Sequence, residues 1–136
     1  RESESPASPL LSKRQLPFSD EEKKQLKILV AEDNDSNYLL VQHILKDYNL
    51  TRVHNGVDAV KKVRDEKFDF VLMDMKMPIM GGLEATRKIR EFNTEIEIIA
   101  LTANTFDSDK VSAIDAGCNR FIAKPLKKNQ LLECFQ

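Results

Sequence analysis

An alternation constrains this chain more than any other feature: five short apolar runs, each followed by a stretch with helical apolar spacing. KILVA (27–31) reads as a continuous apolar run, as expected of a strand covered on both faces of a sheet. Behind it Val41, Ile44, Leu45 and Tyr48 repeat at helical spacing, leaving Gln42, His43, Lys46 and Asp47 opposite. A weaker run at Leu50–Val53 is the second strand. The Asn55-Gly56 pair that follows would signal a hairpin in isolation. Ala59, Val60 and Val63 then continue at helical spacing, so Asn55 is read as a helix N-cap. FDFVLMD (68–74) is the third strand, leading through a loop to a helix carrying Leu83, Thr86 and Ile89. IEIIALT (96–102) is the fourth, and a helix over 107–116 stops at Gly117, a good residue for the position after a helix. RFIAK (120–124) is the fifth, and Leu131, Leu132 and Phe135 lie on a last helix.

Five strand–helix units in series predict an α/β fold: a parallel sheet covered on both faces through right-handed crossovers. Ligands of such open sheets sit beyond the carboxyl ends of the strands, where strand order reverses. Strand one ends in Glu32 and Asp33, strand three in Asp74, strand four in Thr102, and strand five in Lys124 followed by Pro125. Three carboxylates, a hydroxyl and an ammonium are thus expected on one surface. Clustered carboxylates resist ionising together, and one lysine leaves an excess of negative charge. A divalent cation would cancel it, and oxygen-only donors favour Mg2+ or Mn2+ over zinc. An aspartate in that setting can attack a phosphoryl group, with cation, lysine and threonine each meeting charge that develops on its oxygens.

Composition enters by exclusion. The 136 residues carry a formal net charge of -1 with 32% charged residues. That balance argues against a general nucleic-acid or membrane binder. No apolar run could span a bilayer, and the N-terminus does not read as a signal peptide. The chain begins at Arg1, which suggests excision from a longer protein. Residues 1–26 read as a linker or disordered lead-in. Within it, Ser19 and Glu22 form either a capping box opening a short helix over 20–26 or part of a solvated charge run. Cys118 and Cys134, far apart and without a histidine cluster, are expected to be reduced, semi-buried thiols.

On the residues ILVAEDN, VLMDMKMPIMGG, ALTAN and FIAKP, residues 27–136 resemble the receiver domains of two-component signalling. The resemblance implies the flavodoxin-like (βα)5 fold with strand order 2-1-3-4-5. It implies Asp74 as phosphoacceptor, with Asp33, Asp74 and the backbone carbonyl of Lys76 as metal ligands and Glu32 acting through bound water. Thr102 would be the switch hydroxyl, Lys124 the phosphate-binding cation and Phe121 the switch aromatic. Lys76 and Asn104 would tune the lifetime of the phosphorylated state, and the Lys124–Pro125 bond would be cis. The EDN start, Asn37 and ALTAN are most similar to receivers of hybrid histidine kinases. The implied partners are a histidine kinase domain or a histidine phosphotransfer protein. The domain would be cytoplasmic and, unphosphorylated, a monomer, with its output face formed by helix 107–116, strand five and the last helix. It would touch neither nucleic acid nor membrane directly, and would turn over no free substrate.

Other functions fit less well. A phosphatase with an aspartate nucleophile wants an acid two residues on, where this chain has Lys76. A flavin binder would want hydroxyls and amides after strand one, where EDND offers negative charge. A receiver-like binding module without phosphorylation would not need Asp33, Asp74, Thr102 and Lys124 together. His43, on a polar helix face, reads as a surface histidine. Met73 is expected in the core, with Met75, Met77 and Met80 lining a loop beside the acceptor.

Overall fold

The computed structural model describes residues 20–103 and 107–135. Strands β1 (Lys27–Ala31), β2 (Asn49–Val53), β3 (Phe70–Asp74), β4 (Glu97–Thr102) and β5 (Arg120–Ala123) form one sheet in the order β2-β1-β3-β4-β5. All four pairings are parallel, so every carboxyl end lies on the same edge. Six helices accompany them among the described residues: α1 (Asp20–Gln25), α2 (Asp35–Ile44), α3 (Gly56–Asp65), α4 (Gly82–Arg90), α5 (Asp107–Ala116) and α6 (Lys128–Glu133). The short helix expected near 20–26 is therefore present, while Ser19, its proposed cap, lies outside the described residues. None of the described helices is long and apolar enough to cross a membrane.

Strand alternation divides the core in two. Leu29, Val71, Met73, Ile98 and Ala100 face α3, α4 and α5 through Val60, Val63, Ile89 and Ala113. Ile28, Val30, Leu72, Ile99 and Leu101 face α2 and α6 through Val41, Leu45, Leu131 and Phe135. Residues of β1, β3 and β4 are buried on both sides, which is why those runs read as apolar without interruption. Truncating a central residue such as Leu72 to alanine would cost about 2–5 kcal/mol.

The helix starts follow ordinary capping chemistry. Asn55 accepts the Asp58 N–H at 2.8 Å, so Asn55-Gly56 opens α3 and makes no hairpin. Asn34 accepts the Asn37 N–H at 2.9 Å and does the same for α2. Gly117, at φ 117°, ends α5 in a conformation that favours glycine. Beside it Arg90 donates to the carbonyls of Gly117 and Asn93 and to Asn119 Oδ1, tying α4 to the entry of β5. No disulfide joins the two cysteines, and both are buried where semi-buried thiols were expected. Cys118 packs in the core below α4, and Cys134 packs with Ile122, Leu131 and Phe135 in the other cluster.

Candidate functional site

The sheet delivers its carboxyl-terminal residues to one place. One carboxylate oxygen from each of Glu32, Asp33 and Asp74 lies within 4.8 Å of the others. Glu32 is 0% exposed and Asp74 is buried at the end of β3, while Asp33 faces solvent. Lys124 Nζ stands 3.0 Å from Asp74 Oδ2 and 3.2 Å from Glu32 Oε1, bridging the two buried acids. The Lys76 N–H donates to Asp74 Oδ1 at 3.1 Å, and the Asn34 N–H donates to Glu32 Oε2 at 3.2 Å.

Local structure explains how each group arrives. The Lys124 N–H donates to the Thr102 carbonyl at 2.8 Å, extending the β4–β5 ladder one residue past Ala123. The Lys124–Pro125 peptide is cis, as the resemblance implied. Thr102 is buried at the end of β4, one residue beyond the Asp74–Leu101 register pair. At Gly82 a Cβ would overlap the carbonyl oxygen of Asp74, so glycine alone lets α4 start hard against the end of β3. Between them Met75, Met77 and Met80 pack against the core, and Met80 accepts the Gly56 N–H at 2.8 Å.

Burial, reinforced by the neighbouring Asp74 carboxylate, pushes the Glu32 carboxyl above the usual range; the Asn34 N–H and Lys124 pull the other way. Burial works against the Lys124 ammonium, but the hydrogen bond and charge of Asp74, with Glu32 behind them, outweigh it and hold the group above ordinary lysine. The lysine therefore stays charged throughout the physiological range.

These donors fit a hard divalent cation. All are oxygens, three carboxylates face one ammonium, and Glu32 Oε1 is sealed from solvent with the Lys124 ammonium at 3.2 Å as its counter-charge. Phe121 lies on β5, belongs to neither core cluster and is 38% exposed, with Lys110 Nζ 5.4 Å from its ring centre. It borders an open groove of about 530 Å3 lined also by Thr102, Lys110, Gln130 and Cys134. Lys76 projects from the acceptor loop into solvent, and Asn104 lies outside the described residues. Sequence reading missed Arg52, which reaches the backbone of Glu32 from the edge strand β2.

Residues 28–136 match the family described as response regulator receiver domain. The chain belongs to that family. As a receiver it is a module of two-component phosphorelay signalling. It is 39% identical over 109 residues to the autoinducer 2 sensor kinase/phosphatase LuxQ of Vibrio vulnificus, covering 78% of this chain and 13% of LuxQ. It is 38% identical over 114 residues to the sensor protein GacS of Pseudomonas syringae, covering 79% of this chain and 13% of GacS. The receiver thus spans only a small fraction of the curated relatives it matches. Among solved structures, it resembles the receiver domain of sensor histidine kinase PA1611 from Pseudomonas aeruginosa, which holds a magnesium ion in its active site cleft. That match has a TM-score of 0.76 and 36% identity, covering 82% of this chain and 94% of the other. The receiver domain of Ssk1 from Saccharomyces cerevisiae, solved with the histidine phosphotransfer protein Ypd1, matches at TM-score 0.77 and 27% identity, covering 81% and 86%.

Proposed function

We propose that this receiver takes a phosphoryl group from a phosphohistidine onto Asp74 and passes the change to a protein partner. The observation that carries the reading is the Lys124 ammonium held between buried Asp74 and Glu32, at 3.0 and 3.2 Å, in a cluster of three carboxylates. Asp33, Asp74 and the Lys76 carbonyl would hold Mg2+ directly, with Glu32 acting through water; Mn2+ would satisfy the same oxygens. When bound, that cation neutralises phosphoryl oxygens and lowers the repulsion between phosphate and the acidic cluster.

An Asp74 carboxylate oxygen forms the new P–O bond while the P–N bond to the donor imidazole breaks, and its electron pair returns to the ring nitrogen. Lys124 exchanges part of its contact with Asp74 for the phosphoryl oxygens, and the Thr102 hydroxyl donates to one of them. Movement of Thr102 vacates space into which Phe121, half out in solvent, can turn, and the segment through α5 follows. Lys76 and, by the family resemblance, Asn104 would govern the access of the water that later hydrolyses the acyl phosphate. The domain comprises residues 27–136, with 1–26 as the lead-in from a parent chain of hybrid-kinase type. It is cytoplasmic, and it completes one self-modification per phosphoryl group without turning over a free substrate. A histidine kinase domain or a phosphotransfer protein is the donor class, by analogy with the Ypd1–Ssk1 complex.

Phosphoramidate, whose P–N bond mimics phosphohistidine, supplies the test. After exposure to it with Mg2+, borohydride should reduce the acyl phosphate and convert Asp74 alone to homoserine, located by peptide mass. Label on His43, or no reduced aspartate, would contradict the assignment.

A further inference from the structure

The turn 32–35 carries two of the three clustered carboxylates, and one side chain from another strand grips both its ends. Arg52 Nε donates to the Glu32 carbonyl at 3.0 Å, and an outer nitrogen of the same guanidinium lies 2.8 Å from Asp35 Oδ1. The guanidinium carbon lies 4.6 Å over the centre of the Tyr38 ring, on the first turns of α2. Only 17% of the Arg52 side chain is exposed, so its rotamer is fixed by these neighbours. The Glu32 N–H donates to Val53 at 3.1 Å, so both polar backbone groups of Glu32 are held by the same edge strand. Asp33 stands between the two gripped residues with its carboxylate turned to solvent.

We infer that Arg52 is a positioning residue for the cation site: it presets the turn that presents Glu32 and Asp33, without itself touching cation or phosphoryl group. The inference rests on the proposed function, since it assumes that the cluster binds Mg2+. Two effects of Arg52 oppose each other. Its charge near three carboxylates disfavours a second cation, whereas its fork spares the turn from ordering when the cation arrives. The hydrogen bond to a main-chain carbonyl, with an ion pair to Asp35 and the Tyr38 ring beside the guanidinium, makes geometry the larger effect. Lysine cannot reproduce that fork, although it keeps the charge.

The test compares Mg2+ affinity by calorimetry for the wild type, Arg52→Lys and Arg52→Gln, with amide hydrogen exchange at Asp33 and Asn34 in the metal-free proteins. Arg90→Ala, which removes three hydrogen bonds at the opposite edge of the sheet, calibrates the effect of lost stability alone. Asp35→Asn, at a side chain 83% exposed, loosens one end of the grip without disturbing the core. Both Arg52 variants should bind Mg2+ about tenfold more weakly, with faster exchange at the two amides. Asp35→Asn should lose about threefold or less, as an exposed pair allows. Arg90→Ala should bind as the wild type does. Phosphorylation at saturating Mg2+ should stay close to wild type in all four. Unchanged or tighter binding in Arg52→Gln, full retention in Arg52→Lys, or equal weakening in Arg90→Ala would overturn the inference. Absence of Mg2+ binding by the wild type would overturn the functional reading, and the role of Arg52 with it.

Discussion

Lys124 Nζ lies 3.0 Å from Asp74 Oδ2, a contact between residues fifty positions apart that joins the ends of β3 and β5. It brings one positive charge into a pocket where Asp74 and Glu32 are both withdrawn from water. An apolar pair there would cost less to bury. The arrangement keeps a charged acceptor beside its counter-charge, and stability is the quantity sacrificed.

That trade can be measured. Asp74→Asn keeps an oxygen acceptor for Lys124 and Lys76 but removes one of three repelling charges. It should raise the stability of the metal-free protein by about 1 kcal/mol. Lys124→Met leaves the carboxylates uncompensated and should lower stability by about 1–3 kcal/mol, less than for a fully buried pair because Lys124 is partly exposed. Denaturant titrations in EDTA give both values; a destabilised Asp74→Asn would show that the ion pair outweighs the repulsion.

A second cost sits in the acceptor loop. Ile79 has φ 70°, a left-handed conformation that a β-branched residue rarely adopts, and its side chain is 82% exposed. The Met80 N–H donates back to the Pro78 carbonyl at 2.7 Å, closing the tight turn around it. Ile79→Asn relieves the strain and loses almost no packing, so it should stabilise by about 1 kcal/mol. A rise in Tm without change in Mg2+ affinity would agree; a fall would mean that Ile79 packs in a way its exposure does not suggest.

The thiols give a third expectation. Burial pushes the Cys118 thiol up, beyond what the Thr86 hydroxyl and Arg90 recover, and Cys134, though it lines the groove beside Phe121, is only 5% exposed. Neither should react with iodoacetamide at neutral pH in the native protein, and both should react in denaturant. Fast native alkylation of either, read by intact mass, would show local opening at α6 or at the entry to β5.

How much of this was legible in the sequence depends on the range of the interaction. Strands β1, β3 and β4 were readable because burial on both faces leaves no polar alternation to confuse them. The β2 strand, at the sheet edge with only Val53 buried, gave a weak signal, and the reading of Asn55 turned on the helical spacing that follows it. Glu32, Asp33, Asp74, Thr102 and Lys124 were found because a parallel sheet gathers strand ends, so the chain's order implied their proximity. Arg52 was invisible: its partner is a main-chain carbonyl twenty residues away, and no local pattern marks such a contact. The burial of Cys118 and Cys134 was underestimated for a similar reason, since packing of α4 and α6 decides it.

Intact mass after incubation with a small phosphoryl donor tests the central claim most directly. With Mg2+ the protein should gain one phosphoryl group, and it should gain none in EDTA or as Asp74→Asn. A gain that survives Asp74→Asn, or none even with a histidine-phosphorylated donor, would contradict the assignment of Asp74 as the acceptor.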